Sequence, residues 1–112
     1  MHFVQVKREE IADATVLTVQ GSVDITSSPE LRGELKVALD RESPRIVVDM
    51  GGVTFVDSSG LATLIEALQK TQAYAGQVLL CNLTQAVLGV FQLANLDGIF
   101  QIRATREAAL QG

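Results

Sequence analysis

An aspartate, two serines and a glycine stand in a row at Asp57, Ser58, Ser59 and Gly60, between the apolar pair Phe55-Val56 and a run with apolar residues at helical spacing. Two more acids, Asp24 and Asp49, also follow β-rich segments. Groups of these types could serve as a serine nucleophile, as oxygen ligands of a Mg²⁺ ion, or as a hydroxyl that accepts phosphate. Each use makes its own demand on the rest of the chain.

A serine nucleophile needs a base, and the only histidine is His2, at the N-terminus. The GxSxG elbow is missing, because Val56 and Asp57 precede Ser58 where a glycine should stand. Gly51-Gly52 is not followed by the GK[ST] of a phosphate-binding loop, and no GxGxxG occurs. Asp24, Asp49 and Asp57 offer oxygen ligands, but aspartates at strand ends more often cap helices and line solvated rims. These observations predict no catalytic residues, no metal and no cofactor. A serine hydroxyl can instead be a substrate. Phosphate at a helix N-terminus is tolerated by the helix dipole and the free N–H groups, while it adds about −1.5 to −2 charge to the surface. The fold survives and one face changes sign, which suits a partner-binding switch.

The positions of these residues depend on the elements around them. Leu61, Leu64, Ile65 and Leu68 fall at i, i+3, i+4 and i+7 and predict a helix starting near residue 59, with Asp57 or Ser58 as its cap and the remaining hydroxyl in its first turn. A cap explains one polar residue, not three. The stretch TSSPELRGELKVALD predicts an earlier helix from about residue 28, with Ser27 or Ser28 as cap, Pro29 in the first turn and Leu31, Leu35, Ala38 and Leu39 on one face. Thr84 caps a third helix whose face carries Val87, Val90, Phe91 and Ala94, and residues 105 to 110 form a terminal helical turn or two. Leu88, Leu93 and Leu96 lie partly off that face and hint at an interface.

Strands are predicted near residues 3 to 9, 14 to 20, 45 to 49, 77 to 81 and 99 to 102. The first two form an antiparallel hairpin through REEIAD; RIVVDM and QVLLCNL lack alternation, as strands buried on both faces do. GGVTFV reads as a connection to the helix. Strands alternating with helices imply right-handed β-α-β units, hence a single α/β domain over 1–112 with a mixed, mostly parallel sheet, the hairpin at its edge and helices packed on it. Asp24, Asp49 and the Asp57–Gly60 turn then share the rim where strands end and helices begin.

Composition agrees with a globular domain: 47% of the 112 residues are apolar and 20% charged. A net charge of −4 with scattered Lys and Arg argues against nucleic-acid binding. No apolar run approaches the ~18 residues of a membrane span, and the N-terminus lacks signal-peptide order, which predicts a cytoplasmic protein without membrane contact. Cys81 is the only cysteine, which excludes an internal disulfide, and its strand context reads as a small buried hydrophobe.

With these elements in order, the chain resembles the anti-sigma factor antagonists, small proteins built from a STAS domain. GSVDITSSPELRGEL is similar to the family's second strand and first helix, VVDMGGVTFVDSSGLATLI to its third strand and switch helix, and LANLDGIFQIRATREAAL to its closing segment. The resemblance implies a partner switch. The unphosphorylated protein binds an anti-sigma factor that is also a serine kinase of the histidine-kinase ATPase type, freeing the sigma factor. Phosphorylation by that kinase releases the antagonist, and a PP2C-type phosphatase restores it. By the same resemblance Ser59 is the phosphoacceptor, Asp57 the acid beside it, Ser58 the neighbouring hydroxyl, Gly60 the residue that lets the partner backbone come close, and Asp24 an acid near the phosphorylation site; Asp24 reads equally as a turn residue holding backbone N–H groups. Thr54 alternates with Val53 and Phe55 and is expected to pack at the sheet end. The other role open to such a domain is a subunit that binds an ABC transporter ATPase or a signalling complex without being phosphorylated.

Overall fold

A computed structural model describes residues 3–112. Met1 and His2, and with His2 the chain's lone histidine, lie outside the described residues. Five strands and four helices follow one another as β1 (Val4–Ile11), β2 (Ala14–Val23), α1 (Ser28–Asp40), β3 (Arg45–Val56), α2 (Ser58–Gln72), β4 (Gln77–Cys81), α3 (Gln85–Leu93), β5 (Gln101–Arg103) and α4 (Arg106–Gln111). The sheet order is the chain order, with β1–β2 antiparallel and the other pairs parallel.

That order follows from a simple constraint. Each of α1, α2 and α3 joins a strand to its immediate parallel neighbour in the same direction of travel, and right-handed crossovers then place all three on one face. Leu31, Leu35, Leu64, Ala67, Val87 and Phe91 from these helices pack with Leu17, Val19, Ile46, Val48, Met50 and Leu80 from the sheet. The other face is covered only in part. There α4 packs Ala109 and Leu110 on Val16, Val47, Leu79 and Cys81. Burial pushes the Cys81 thiol up to about 11, in keeping with its reading as a small hydrophobe.

The third strand is longer than the sequence pattern predicts. GGVTFV, read as a connection, belongs to β3, which the parallel ladder with β2 follows to the pair Val23–Val56. Between the pairs Thr18–Asp49 and Gln20–Gly52, and again between Gly21–Val53 and Ser22–Phe55, β3 carries one residue more than β2. These bulges shift the period. Met50, Val53 and Val56 all reach the core at a spacing of three, which hides the strand from a test for alternation. Thr54 falls at the second bulge and is exposed rather than packed, and Phe55 remains 49% exposed.

The last strand starts at Gln101; Ile99 sits in the turn before it, because Ile99 N–H and Phe100 N–H both bond back to the Leu96 carbonyl. Thr84 caps α3 as predicted, accepting from Val87 N–H, and Thr105, expected within the terminal helical turns, caps α4 by accepting from Ala108 N–H. Ala94 is exposed and not part of the buried face of α3, and Leu93 is 89% exposed.

Candidate functional site

The Asp57–Gly60 turn joins the end of β3 to α2. Asp57 has an extended backbone and caps the helix, its Oδ1 accepting from Ser59 N–H at 2.9 Å and Gly60 N–H at 3.3 Å. The same oxygen accepts the Ser59 hydroxyl at 2.6 Å. Between the two candidate caps the structure chooses Asp57, and Ser58 opens the helix as an exposed residue. One carboxylate thus fixes the helix start and orients the half-buried Ser59.

Asp24 lies directly beside this turn. Asp57 N–H donates to the Val23 carbonyl at 3.1 Å, and Ile25 N–H donates to the Asp57 carboxylate. The residues on either side of Asp24 are therefore tied to Asp57. The Asp24 carboxylate itself holds its own turn, accepting from the Thr26 hydroxyl at 2.7 Å, Thr26 N–H at 3.0 Å and Ser27 N–H at 3.1 Å. This turn corrects the expected cap of α1: Ser27 precedes the helix in a helical conformation and makes no side-chain cap bond, its hydroxyl donating to the Ser22 carbonyl at 2.6 Å instead. The turn reading of Asp24 is the one its hydrogen bonds describe.

Asp49 is not at this rim. Because β3 runs on to Val56, Asp49 lies mid-strand, level with Thr18 and Cys81. Its carboxylate pairs with Arg106 at 3.0 Å and accepts from Gly51 N–H and the Asn82 amide. It anchors α4 to the back of the sheet, so the convergence of three acids expected from the sequence reduces to Asp24 and Asp57. Among the described residues no group of three or more His, Cys, Asp or Glu side chains could hold a metal ion, and no helix is long and apolar enough to cross a membrane.

Gly60 has a reason within the fold itself. It is buried, and a Cβ there would come within 2.9 Å of methyls of both Val23 and Val56 and 3.0 Å of the Val23 carbonyl. The close approach it permits within the chain is that of α2 to its own strands.

Pattern reading missed two residues at this site, Ile25 and Phe55, which are 76% and 49% exposed. They flank Asp24 and Asp57 in sequence. A single isoleucine in the otherwise polar loop DITSSP was a signal that could have been used. Large apolar side chains are thus open to solvent beside a polar helix start.

The hydrogen bond from the Ser59 hydroxyl is the chief cause that holds the Asp57 carboxyl below its usual 3.8, with the Gly60, Ser59 and Ile25 N–H groups adding to it against some desolvation. A carboxyl depressed on folding contributes stability that is fully present above 3.8 and is lost as pH falls through the lower folded value. We expect the urea midpoint of the wild type to drop between about pH 5 and about pH 2, and Asp57→Asn to drop less over that range. In the folded protein, Ser59→Ala should move the Asp57 carboxyl titration, followed by ¹³C NMR, back toward 3.8.

The STAS domain model matches residues 5–109. The anti-sigma-B factor antagonist of Bacillus subtilis is 27% identical over 108 residues, covering 96% of this chain and 96% of that protein. The crystal structure of an anti-sigma factor antagonist from Mycobacterium paratuberculosis superposes with a TM-score of 0.88 at 24% identity, covering 96% of this chain and 92% of that one. The Bacillus cell fate determinant SpoIIAA in its phosphorylated form superposes with a TM-score of 0.74 at 23% identity, covering 96% and 97%.

Proposed function

This chain belongs to the STAS domain family, and on that premise we propose that it is an anti-sigma factor antagonist switched by phosphorylation of Ser59. The unphosphorylated protein binds an anti-sigma factor that is itself a serine kinase, which frees the sigma factor; phosphorylation releases the antagonist, and a PP2C-type phosphatase resets it. An ATP-using partner places the protein in the cytoplasm. The surface that binds is the turn after β2 together with the start of α2: Asp24, Asp57, Ser58 and Ser59, flanked by Ile25 and Phe55, with Gly60 holding the helix in place from beneath.

One observation carries this reading. The Ser59 hydroxyl is presented at the first turn of α2 and oriented at 2.6 Å by a carboxylate that is kept ionised. Phosphoryl transfer forms the bond from Ser59 Oγ to phosphorus and breaks the bond to the departing ADP, and the hydroxyl proton passes to a base of the kinase. Asp57 is too weak a base to keep that proton but well placed to aim the oxygen. The sequence has no GxSxG elbow around this serine and no phosphate-binding loop, which supports a binding protein rather than an enzyme. The name of the Bacillus subtilis relative supports the class of partner.

The test is incubation with the cognate anti-sigma kinase and ATP, followed by mass spectrometry of the intact protein and its peptides. A single phosphate on Ser59, absent from Ser59→Ala, is expected. Phosphate on Ser58 or Thr54 would overturn the assignment. Stable binding to a transporter ATPase or signalling complex, with no phosphate incorporated, would favour the unphosphorylated-subunit role instead.

A further inference from the structure

Phosphate on Ser59 cannot stay where the hydroxyl now points. The hydrogen bond to Asp57 Oδ1 depends on the hydroxyl proton, which esterification removes. What remains is a dianion facing an ionised carboxylate, and the two repel. The side chain must turn about its Cα–Cβ bond into another staggered position.

Beside Ser59 lies a cavity of about 190 Å³ between the starts of α1 and α2, lined by Ser28, Pro29, Arg32, Ala62 and Thr63 as well as Ser59 itself. Arg32 is the cation of that lining. Its guanidinium now faces Glu66 of α2, Nε to Oε1 at 3.1 Å and Nη2 to Oε2 at 3.3 Å, with side chains 58% and 36% exposed. A pair so open to water is weakly held. Glu66 would keep Lys70, 4.0 Å away, if Arg32 left. A phosphate dianion carries more charge than one carboxylate and accepts two parallel N–H bonds from a guanidinium fork.

We propose, on the reading of Ser59 as phosphoacceptor, that Arg32 exchanges Glu66 for the phosphate on Ser59 and draws it into the cavity between α1 and α2. Arg32 is then a positioning residue: it fixes where the new charge sits on the binding surface, and the tie it makes from α1 to α2 passes from Glu66 to the phosphate. In the unphosphorylated protein Arg32 makes an exposed ion pair with Glu66.

The experiment uses full-length protein with phosphoserine placed at position 59 during translation, so the result does not depend on which residue a kinase selects. The second ionisation of the phosphate is followed by ³¹P NMR against pH. A guanidinium in contact favours the dianion, so Arg32→Gln should raise that pKa by about half a unit or more, and Arg32→Lys should restore part of the shift. Phosphoserine placed instead at the exposed position 58 should titrate alike with and without Arg32. Circular dichroism of the unphosphorylated Arg32→Gln protein checks that the fold is kept. Identical titrations of phosphoserine 59 with Arg32 and with Gln would overturn the proposal. A kinase that modifies a residue other than Ser59 would overturn the reading of the phosphoacceptor and leave the titration result standing.

Discussion

Ser59→Asp should bind the anti-sigma kinase more than about a hundredfold more weakly than wild type, a loss of about 3 kcal/mol, while its urea midpoint stays close to that of the wild type. The added carboxylate sits within the first turn of α2, where helix dipole and N–H groups accept negative charge, so the fold does not oppose it. A partner closing over the same turn must strip water from that charge beside Asp57, and the desolvation of an unpaired charge is costly. Ser59→Ala removes only a small hydroxyl and its bond to Asp57, so it should bind nearly as wild type and refuse phosphate. Isothermal calorimetry with the purified kinase measures all three proteins. If Ser59→Asp bound as tightly as wild type, charge at this position would not be the release mechanism.

The second large effect is expected at Gly60, and here two terms oppose each other. Replacing a helical glycine by alanine ordinarily stabilises by roughly 0.5–1 kcal/mol. At Gly60 the new methyl would lie 2.9 Å from methyls of Val23 and Val56 and 3.0 Å from the Val23 carbonyl, which is also the acceptor for Asp57 N–H. Overpacking of a fitted core costs about 1–3 kcal/mol, so it outweighs the helix preference. Gly60→Ala should lower the urea midpoint with an unchanged slope. Gly33→Ala and Gly89→Ala serve as controls: each lies inside a helix, and a Cβ there meets nothing within 4 Å. Both should raise the midpoint. A Gly60→Ala protein as stable as these controls would show that the strands yield more easily than their packing suggests.

The chain's alternation of β-rich and helix-periodic segments was enough to read the α/β class, the parallel sheet with its antiparallel first hairpin, and three of the helices, with Thr84 as the cap of the third. These features are local. Apolar spacing, capping residues and turn residues act over a few positions, so a one-dimensional pattern carries them. The acid and hydroxyl at Asp57 and Ser59 were legible for the same reason, since a cap is made within one turn.

Tertiary structure alone decided what depends on residues far apart in sequence. The bulges in β3 arise from its pairing with β2, and they move Met50, Val53 and Val56 out of the period-two pattern that would have revealed a strand. That extension separates Asp49 from the rim and gives it to Arg106, fifty-seven positions away. The reason for Gly60 lies in Val23 and Val56, which meet it only when α2 docks on two strands. Arg32 and Ser59 share a cavity because consecutive right-handed crossovers set α1 beside α2 on one face. Each of these is a long-range contact whose loop-closure cost is offset by the core as a whole, and a core formed by the whole sheet leaves no mark on any single short window of the sequence.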